Sequence, residues 1–418
     1  MKFNKWTMGL AAVGVVSLAS AARADEKMSV VNTALTGTTL SGYVDVAAQY
    51  NLGSQNGGDT PQYAFGPGKA DGFNLNSVDL ALDKPLSEGS WAAGYHVELM
   101  AGPDSVPGTQ VTWSPNTSRG PNVMGAGVSI RQAYIALRTP VGSSAIDWKV
   151  GVWDSILGYE STSDPLNPNY TRSYGYTIEP TTYTGILATY KVNDMITLQA
   201  GIADGSQVAV NVPIIGNFYA IGPTPINGRN IQESKKAYMG AVAFTAPDSW
   251  GWMKGATLNA GIINNNDGPT TGSPMNWGTT SLYAGATLPT PVKALKVGAA
   301  FDYLDLHNAH YIGNSDSSVW VAGLYASFQA NDKLNLNLRG EHLQVNAFPL
   351  AADEFTATAS YKIWDNVLSR VEFRWDHVEH YSAWDNTSNA GYGEGQNSNG
   401  FDIHDNAFMV ALNLIYQF

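Results

Sequence analysis

The chain has no cysteine, little charge and no long apolar run beyond its start, and each shortage closes a class of explanation. Without Cys, a disulfide-stapled scaffold and a Cys-ligated zinc or iron-sulfur site are excluded. Lys and Arg total 23 against 35 Asp and Glu, a formal net charge of -12, so the basic surface that nucleic acid requires is missing. Only 14% of the 418 residues are charged, while 44% are apolar and 11% aromatic, which lies outside the disordered range. Past residue 24 no window holds 18 consecutive apolar residues, so hydropathy supplies no transmembrane helix.

What is present begins with a leader. Lys2 and Lys5 precede an apolar and small-residue run from Met8 to Ala22, and Ala22-Arg23-Ala24 offers small side chains for cleavage. Residues 1–24 therefore read as an export signal rather than a membrane anchor, which needs ~20 apolar residues. Its removal takes away Lys2, Lys5, Arg23 and no acid, carrying the formal charge from -12 to -15. Residues 25–39 form a short periplasmic lead, too few for a plug domain.

From residue 40 to 418 apolar and polar residues alternate in segments of about ten, the period of a strand with one apolar face. Phe408, Val410, Leu412, Leu414, Tyr416 and Phe418 share one face, with Ala411, Asn413 and Gln417 on the other and Ile415 as the exception. Val371, Phe373 and Trp375 alternate with Arg370, Glu372, Arg374 and Asp376, which puts four charges on a face expected to meet water. Sixteen strands are expected, centred near residues 46, 78, 95, 133, 149, 187, 199, 241, 258, 283, 298, 324, 339, 358, 371 and 413.

Short turns at Pro85 to Gly89, Thr139 to Ser144, Asn193-Asp194, Pro289 to Pro291, Asn331-Asp332 and Asp365-Asn366 alternate with long connections. The spacing predicts an all-β fold: a transmembrane antiparallel up-and-down β-barrel of about 16 strands, with short periplasmic turns and long extracellular loops. Strands cross hydrocarbon only when the sheet closes and leaves no unpaired edge. Trp91, Tyr95, Trp148, Tyr190, Trp375 and Tyr416 are the candidates for interfacial girdles. Sixteen strands enclose water rather than a side-chain-filled core.

Several stretches carry a resemblance: residues 73–80 (FNLNSVDL), 91–95 (WAAGY), 131–138 (RQAYIALR) and, most distinctive, 167–180 (NPNYTRSYGYTIEP). The chain from about Leu40 to Phe418 resembles the putative beta-barrel porin-2 (OmpL-like) family of bacterial outer-membrane proteins. The resemblance implies a barrel in the bacterial outer membrane with porin activity and supplies no functional residues.

The inward phase supplies candidate pore-lining residues: Asp45, Asp79, Glu98, Arg131, Asp147, Lys149, Lys296, Asp302, Arg339, Glu341, Arg370, Glu372 and Arg374. Lys296, Arg339, Arg370 and Arg374 come late in sequence, and facing acids of early strands they would set up a transverse field. The connection 154–181 is the candidate constriction loop by analogy with general porins, with Asp164, Tyr170, Arg172, Tyr174 and Glu179 as its candidate residues.

The function expected is passive diffusion of small hydrophilic solutes and ions through a water-filled channel, with a weak cation preference from the net acidity. No cofactor, metal or catalytic residue is expected. The partners expected are outer-membrane lipid and lipopolysaccharide, the barrel assembly machinery through the Phe418 strand, and further copies in a homotrimer. A non-conducting structural or adhesive barrel is the first alternative. A barrel-embedded hydrolase is the second, resting on Asp376-His377 with His380; adjacent strand residues point to opposite faces, which opposes that pairing. His307 and His310, or His377 and His380, lack a third metal ligand in their own segments.

Overall fold

The structure, a computed structural model, describes residues 37–52, 63–64, 69, 71–105, 110–111, 128–204, 236–265, 278–307, 317–346, 350–379 and 406–418. The expected leader 1–24, most of the expected lead 25–39, His310, His380 and much of the long connections lie outside the described residues.

Sixteen long strands follow one another: β1 (Thr39–Leu52), β2 (Gly72–Lys84), β3 (Ala92–Ala101), β4 (Val128–Val141), β5 (Ser144–Asp154), β6 (Thr182–Lys191), β7 (Ile196–Ala203) and β8 (Ala237–Thr245). The second half comprises β9 (Thr257–Asn265), β10 (Gly278–Pro289), β11 (Leu295–His307), β12 (Ser317–Gln329), β13 (Leu334–Val345), β14 (Leu350–Trp364), β15 (Val367–Glu379) and β16 (Asn406–Gln417). Each expected centre falls inside one of them. A further two-residue strand, Gln110–Val111, pairs with Ser129 and Val128 of β4.

Each strand pairs antiparallel with the next, and β1 pairs with β16 from Tyr43↔Gln417 to Leu52↔Phe408. Phe418 completes the seam by exchanging backbone bonds with Gly42 at 3.0 and 3.1 Å. The sheet is therefore a closed barrel without an edge, the condition for strands to cross lipid.

The period-2 pattern decides which face meets lipid. On β16, Phe408, Val410, Leu412, Leu414 and Tyr416 are exposed outward, while Ala411 and Asn413 are buried inward. Ile415, the exception in the sequence pattern, keeps the inward phase and packs against Tyr43 and Met100.

The inner wall changes character with height. Toward the end where the long connections emerge, inward residues of β11 to β15 are apolar: Leu304, Leu306, Val319, Val321, Val345 and Val378 form one buried cluster with Tyr63, Tyr174 and Ile178 from two connections. Lower on the same strands lie the charged residues Asp302, Arg339, Glu341, Arg370, Glu372, Arg374 and Asp376.

One short connection has no counterpart among the turns expected from the sequence. Between β8 and β9 the chain winds through a 3-10 helix, Asp248–Met253, with Trp250 and Trp252 exposed. Trp250 lies 5.6 Å from the Phe244 ring.

Candidate functional site

The connection 155–181 is pinched at its neck, where the Ser155 amide donates to the Thr181 carbonyl at 2.8 Å. Its first residues follow the apolar phase of the inner wall: Ile156 and Leu157 pack with Trp153, Tyr183, Leu187, Met239 and Ile263. Tyr159 stacks on Tyr325 of β12 at 4.0 Å between centroids. Pro165 suits the start of the 3-10 turn Asp164–Leu166, since its fixed φ and missing donor cost nothing there. A single-turn helix, α1 (Tyr174–Ile178), is capped by Ser173, whose hydroxyl accepts from the Tyr176 amide at 2.9 Å.

Most of this loop makes no regular ladder, so its backbone groups need partners elsewhere. The wall provides them. Arg370 donates to the carbonyls of Asp164 and Asn167 at 2.9 and 2.5 Å. The amides of Tyr170 and Thr171 donate to Glu372 at 2.5 and 2.9 Å. Arg339 reaches the Thr171 carbonyl at 2.8 Å, Arg374 reaches that of Arg172 at 2.7 Å, and the Tyr174 amide donates to Glu341 at 2.6 Å. Side chains add to this: Asn169 donates to Thr358 at 2.7 Å and the Tyr174 hydroxyl to Asp376 at 2.7 Å.

The loop also reaches the first strands. Asp164 pairs with Arg172 at 2.5 Å, its other carboxylate oxygen accepts from Ser77 at 2.5 Å, and Tyr170 donates to Gln49 at 3.1 Å. Lys69 and Asp104, from the two earlier connections, form a buried pair at 2.9 Å, with Lys69 over the Tyr170 ring at 4.6 Å. Burial pushes the Asp104 carboxyl up to about 6, against the opposing pull of Lys69.

All thirteen candidate lining residues keep the inward phase, but their surroundings differ. Asp45, Asp79, Glu98, Arg131, Asp302, Arg339, Glu341, Arg370, Glu372 and Arg374 are buried, Asp147 and Lys149 half-buried and Lys296 exposed. Asp45 accepts from Asn413 and Asn76 at 2.5 and 2.6 Å. Arg131 joins Glu98 at 2.6 Å and Asp154 at 2.8 Å, and Asp147 is paired with Arg138 at 2.6 Å. Lys149 lies over the Tyr134 ring at 4.5 Å. Tyr134 stacks with His96, which bridges Asp83 and Glu98 at 3.0 and 3.3 Å.

Two sequence-based expectations are corrected. The face of Arg370, Glu372, Arg374 and Asp376 meets the loop, not water, because irregular backbone competes for those charges. The late basic residues do not stand as a free row against early acids: Arg339 is paired with Glu160 at 2.7 Å and Glu354 at 3.1 Å, and Arg374 with Asp376 at 2.7 Å, so two of the four are compensated locally.

Glu160, Glu354, His96 and Asp83 were absent from the sequence-based set. Glu354 was accessible to that reasoning, since it alternates with the outward Phe355; Glu160, on a loop, carried no such signal. Asp376 is buried inward on Arg374, whereas His377 contacts Trp375 and Asn406 on the outer face at 5.9 and 3.1 Å. Among the described residues no group of three or more His, Asp or Glu is arranged to hold a metal ion.

A closed sixteen-stranded antiparallel barrel with an apolar outer belt and a charged lumen defines an outer-membrane channel of the porin class. The family model described as "Putative beta-barrel porin-2, OmpL-like" matches residues 37–418. The chain belongs to that family, and it is a porin of the bacterial outer membrane. No curated protein matches it.

Among solved structures, the anion-selective porin from Comamonas acidovorans is similar at a TM-score of 0.57 and 12% identity, covering 91% of this chain and 99% of that one. The outer-membrane channel DcaP of Acinetobacter baumannii gives 0.56 and 13%, covering 91% and 97%. OprB of Pseudomonas putida gives 0.54 and 12%, covering 92% and 94%. At such identities the likeness concerns the fold.

Proposed function

We propose that this porin passes small hydrophilic solutes and ions by passive diffusion beside the loop 155–181, which narrows the lumen, and that it favours cations weakly. The observation that carries this reading is the set of bonds from Asp164, Asn167, Tyr170, Thr171 and Tyr174 of the loop to wall residues of β13 to β15. They support a loop held across part of the lumen, leaving the β2–β5 wall as the accessible side. On that wall the half-buried Asp83 and Asp154 outnumber the half-buried Lys149, one carboxylate in excess among the groups left partly open. A surplus of one sign raises the local concentration of the opposite ion.

The reading includes no catalytic step. Asp376, the acid of the nearest hydrolase-like pair, is bonded to Arg374 and Tyr174 on the face opposite His377. It includes a homotrimer, contact of the outer belt with lipid and lipopolysaccharide, and recognition of the Phe418 strand by the assembly machinery.

Planar-bilayer conductance with sugars of graded size, together with the reversal potential in a KCl gradient, tests it. Graded block by the sugars and a cation-sided reversal are expected. Anion-sided reversal would refute the preference, and a silent folded barrel would favour the structural or adhesive reading.

A further inference from the structure

The loop meets β11 and β13 through carboxyl groups. Glu179, the residue that ends α1, shares a side-chain hydrogen bond with Asp302 of β11. Two carboxylates offer acceptor oxygens only, so a bond between them requires that one carry a proton.

The groups packed around the pair do not supply a free cation. From the loop itself comes Glu160, bonded to Arg339 at 2.7 Å and to the Ser173 amide at 2.8 Å. From β10 comes the Tyr283 phenol. From β12 comes Tyr325, which donates to Glu341 of β13 at 3.1 Å, and Arg339 on β13 is already engaged by Glu160 and Glu354.

The chain closes over the pair with glycine. Gly158 has φ +129, and a Cβ there would collide with Glu179 Oε2; a Cβ on Gly175 would lie 2.7 Å from Asp302 Oδ2 and 3.5 Å from Glu341 Oε1. Backbone approaches the carboxyls so closely only where no side chain intervenes.

We propose that the proton shared by Glu179 and Asp302 is a pH-sensitive latch that holds the loop 155–181 on β11, so that the channel is narrow and quiet in acid and loosens in alkali. This rests on the porin reading above. Burial first, and then the charge of Asp302, pushes the Glu179 carboxyl well above its ordinary value. A group raised by docking favours the docked loop fully below its undocked value, about 4.3 for Glu. That preference is lost as pH rises through the docked value.

The test exploits the absence of cysteine. Ile178→Cys places a thiol on α1 in the buried cluster, and Ser143→Cys, in the exposed turn between β4 and β5, gives the reference for intrinsic thiol reactivity. In detergent-folded protein the labelling rate of the first over the second should rise with pH, by up to about tenfold per unit while the pair loses its proton. Glu179→Gln keeps a donor for Asp302 but has no proton to lose, so both its labelling ratio and its single-channel noise should be flat with pH. Heat-modifiable mobility on gels verifies that each variant has folded.

A flat wild-type ratio, or an equal rise in Glu179→Gln, overturns the latch. A wild type that conducts no current overturns the porin reading instead, and the labelling ratio still decides whether the loop is latched.

Discussion

Replacing Arg339 by Met should release the middle of the loop 155–181 without opening the barrel. The guanidinium is fully buried and is held by Glu160 at 2.7 Å, Glu354 at 3.1 Å and the carbonyls of Thr171 and Arg172 at 2.8 and 3.3 Å. Met fills similar volume but leaves two buried carboxylates without their cation, a loss of about 3–5 kcal/mol. A loss of about 3–5 kcal/mol is a shift of roughly a hundred- to a few thousandfold toward the undocked loop.

Trypsin reads that shift directly. Arg172 is the single Lys or Arg between residues 155 and 181 and is buried in the docked loop. Cleavage after it tracks the open population when reclosing is fast. Arg339→Met should be cut there roughly a hundredfold faster or more, with Arg339→Lys intermediate, and its single-channel conductance should increase. If Arg339→Met resisted trypsin as well as the wild type, the assignment of Arg339 as the anchor of the loop would be refuted.

Other outcomes follow from the same geometry. Val371, outward on β15, tolerates no charge: Val371→Arg should cost about 2–4 kcal/mol in denaturant titrations of bilayer-folded protein, and an unchanged midpoint would contradict the lipid-facing assignment. Val46→Cys with Leu414→Cys, opposed across the β1–β16 seam, should oxidise to a disulfide between the first and last strands; no crosslink would mean the seam is open. Lys149→Glu should move the reversal potential further to the cation side, whereas no shift would remove Lys149 from the permeation path. Glu179→Gln should abolish the pH dependence of noise, as argued above.

The barrel was legible in the sequence because lipid imposes a strict rule on every second residue. Phe408 through Tyr416 alternate without help from distant contacts, and even Ile415 only marks where the inner wall needs an apolar neighbour for Tyr43 and Met100. The β8–β9 connection was not legible, since Gly251 breaks the helix Asp248–Met253 with φ +61 and neither turn nor strand patterning describes it. The phase of Arg370 or Glu372 was equally plain, but not what they touch. Glu372 meets Tyr170, some two hundred residues away in sequence, and alternation within a strand says nothing about a loop arriving from across the lumen.

That distinction changes what lumen charges mean. A guanidinium facing water contributes to ion preference, whereas one spent on backbone carbonyls substitutes for the hydrogen bonds that an irregular loop cannot make with itself. Arg339, Arg370 and Arg374 accommodate the carbonyls of Asp164, Asn167, Thr171 and Arg172. Glu341 and Glu372 take the amides of Tyr170, Thr171 and Tyr174. Reversing any of these charges would set like poles together, donor against donor or acceptor against acceptor, and so should harm docking more than a neutral replacement of similar size. On this reading selectivity belongs to the groups the loop leaves uncovered on the β2–β5 wall, chiefly Asp83, Lys149 and Asp154, and the most heavily charged strand, β15, acts as scaffold for the constriction rather than as its filter.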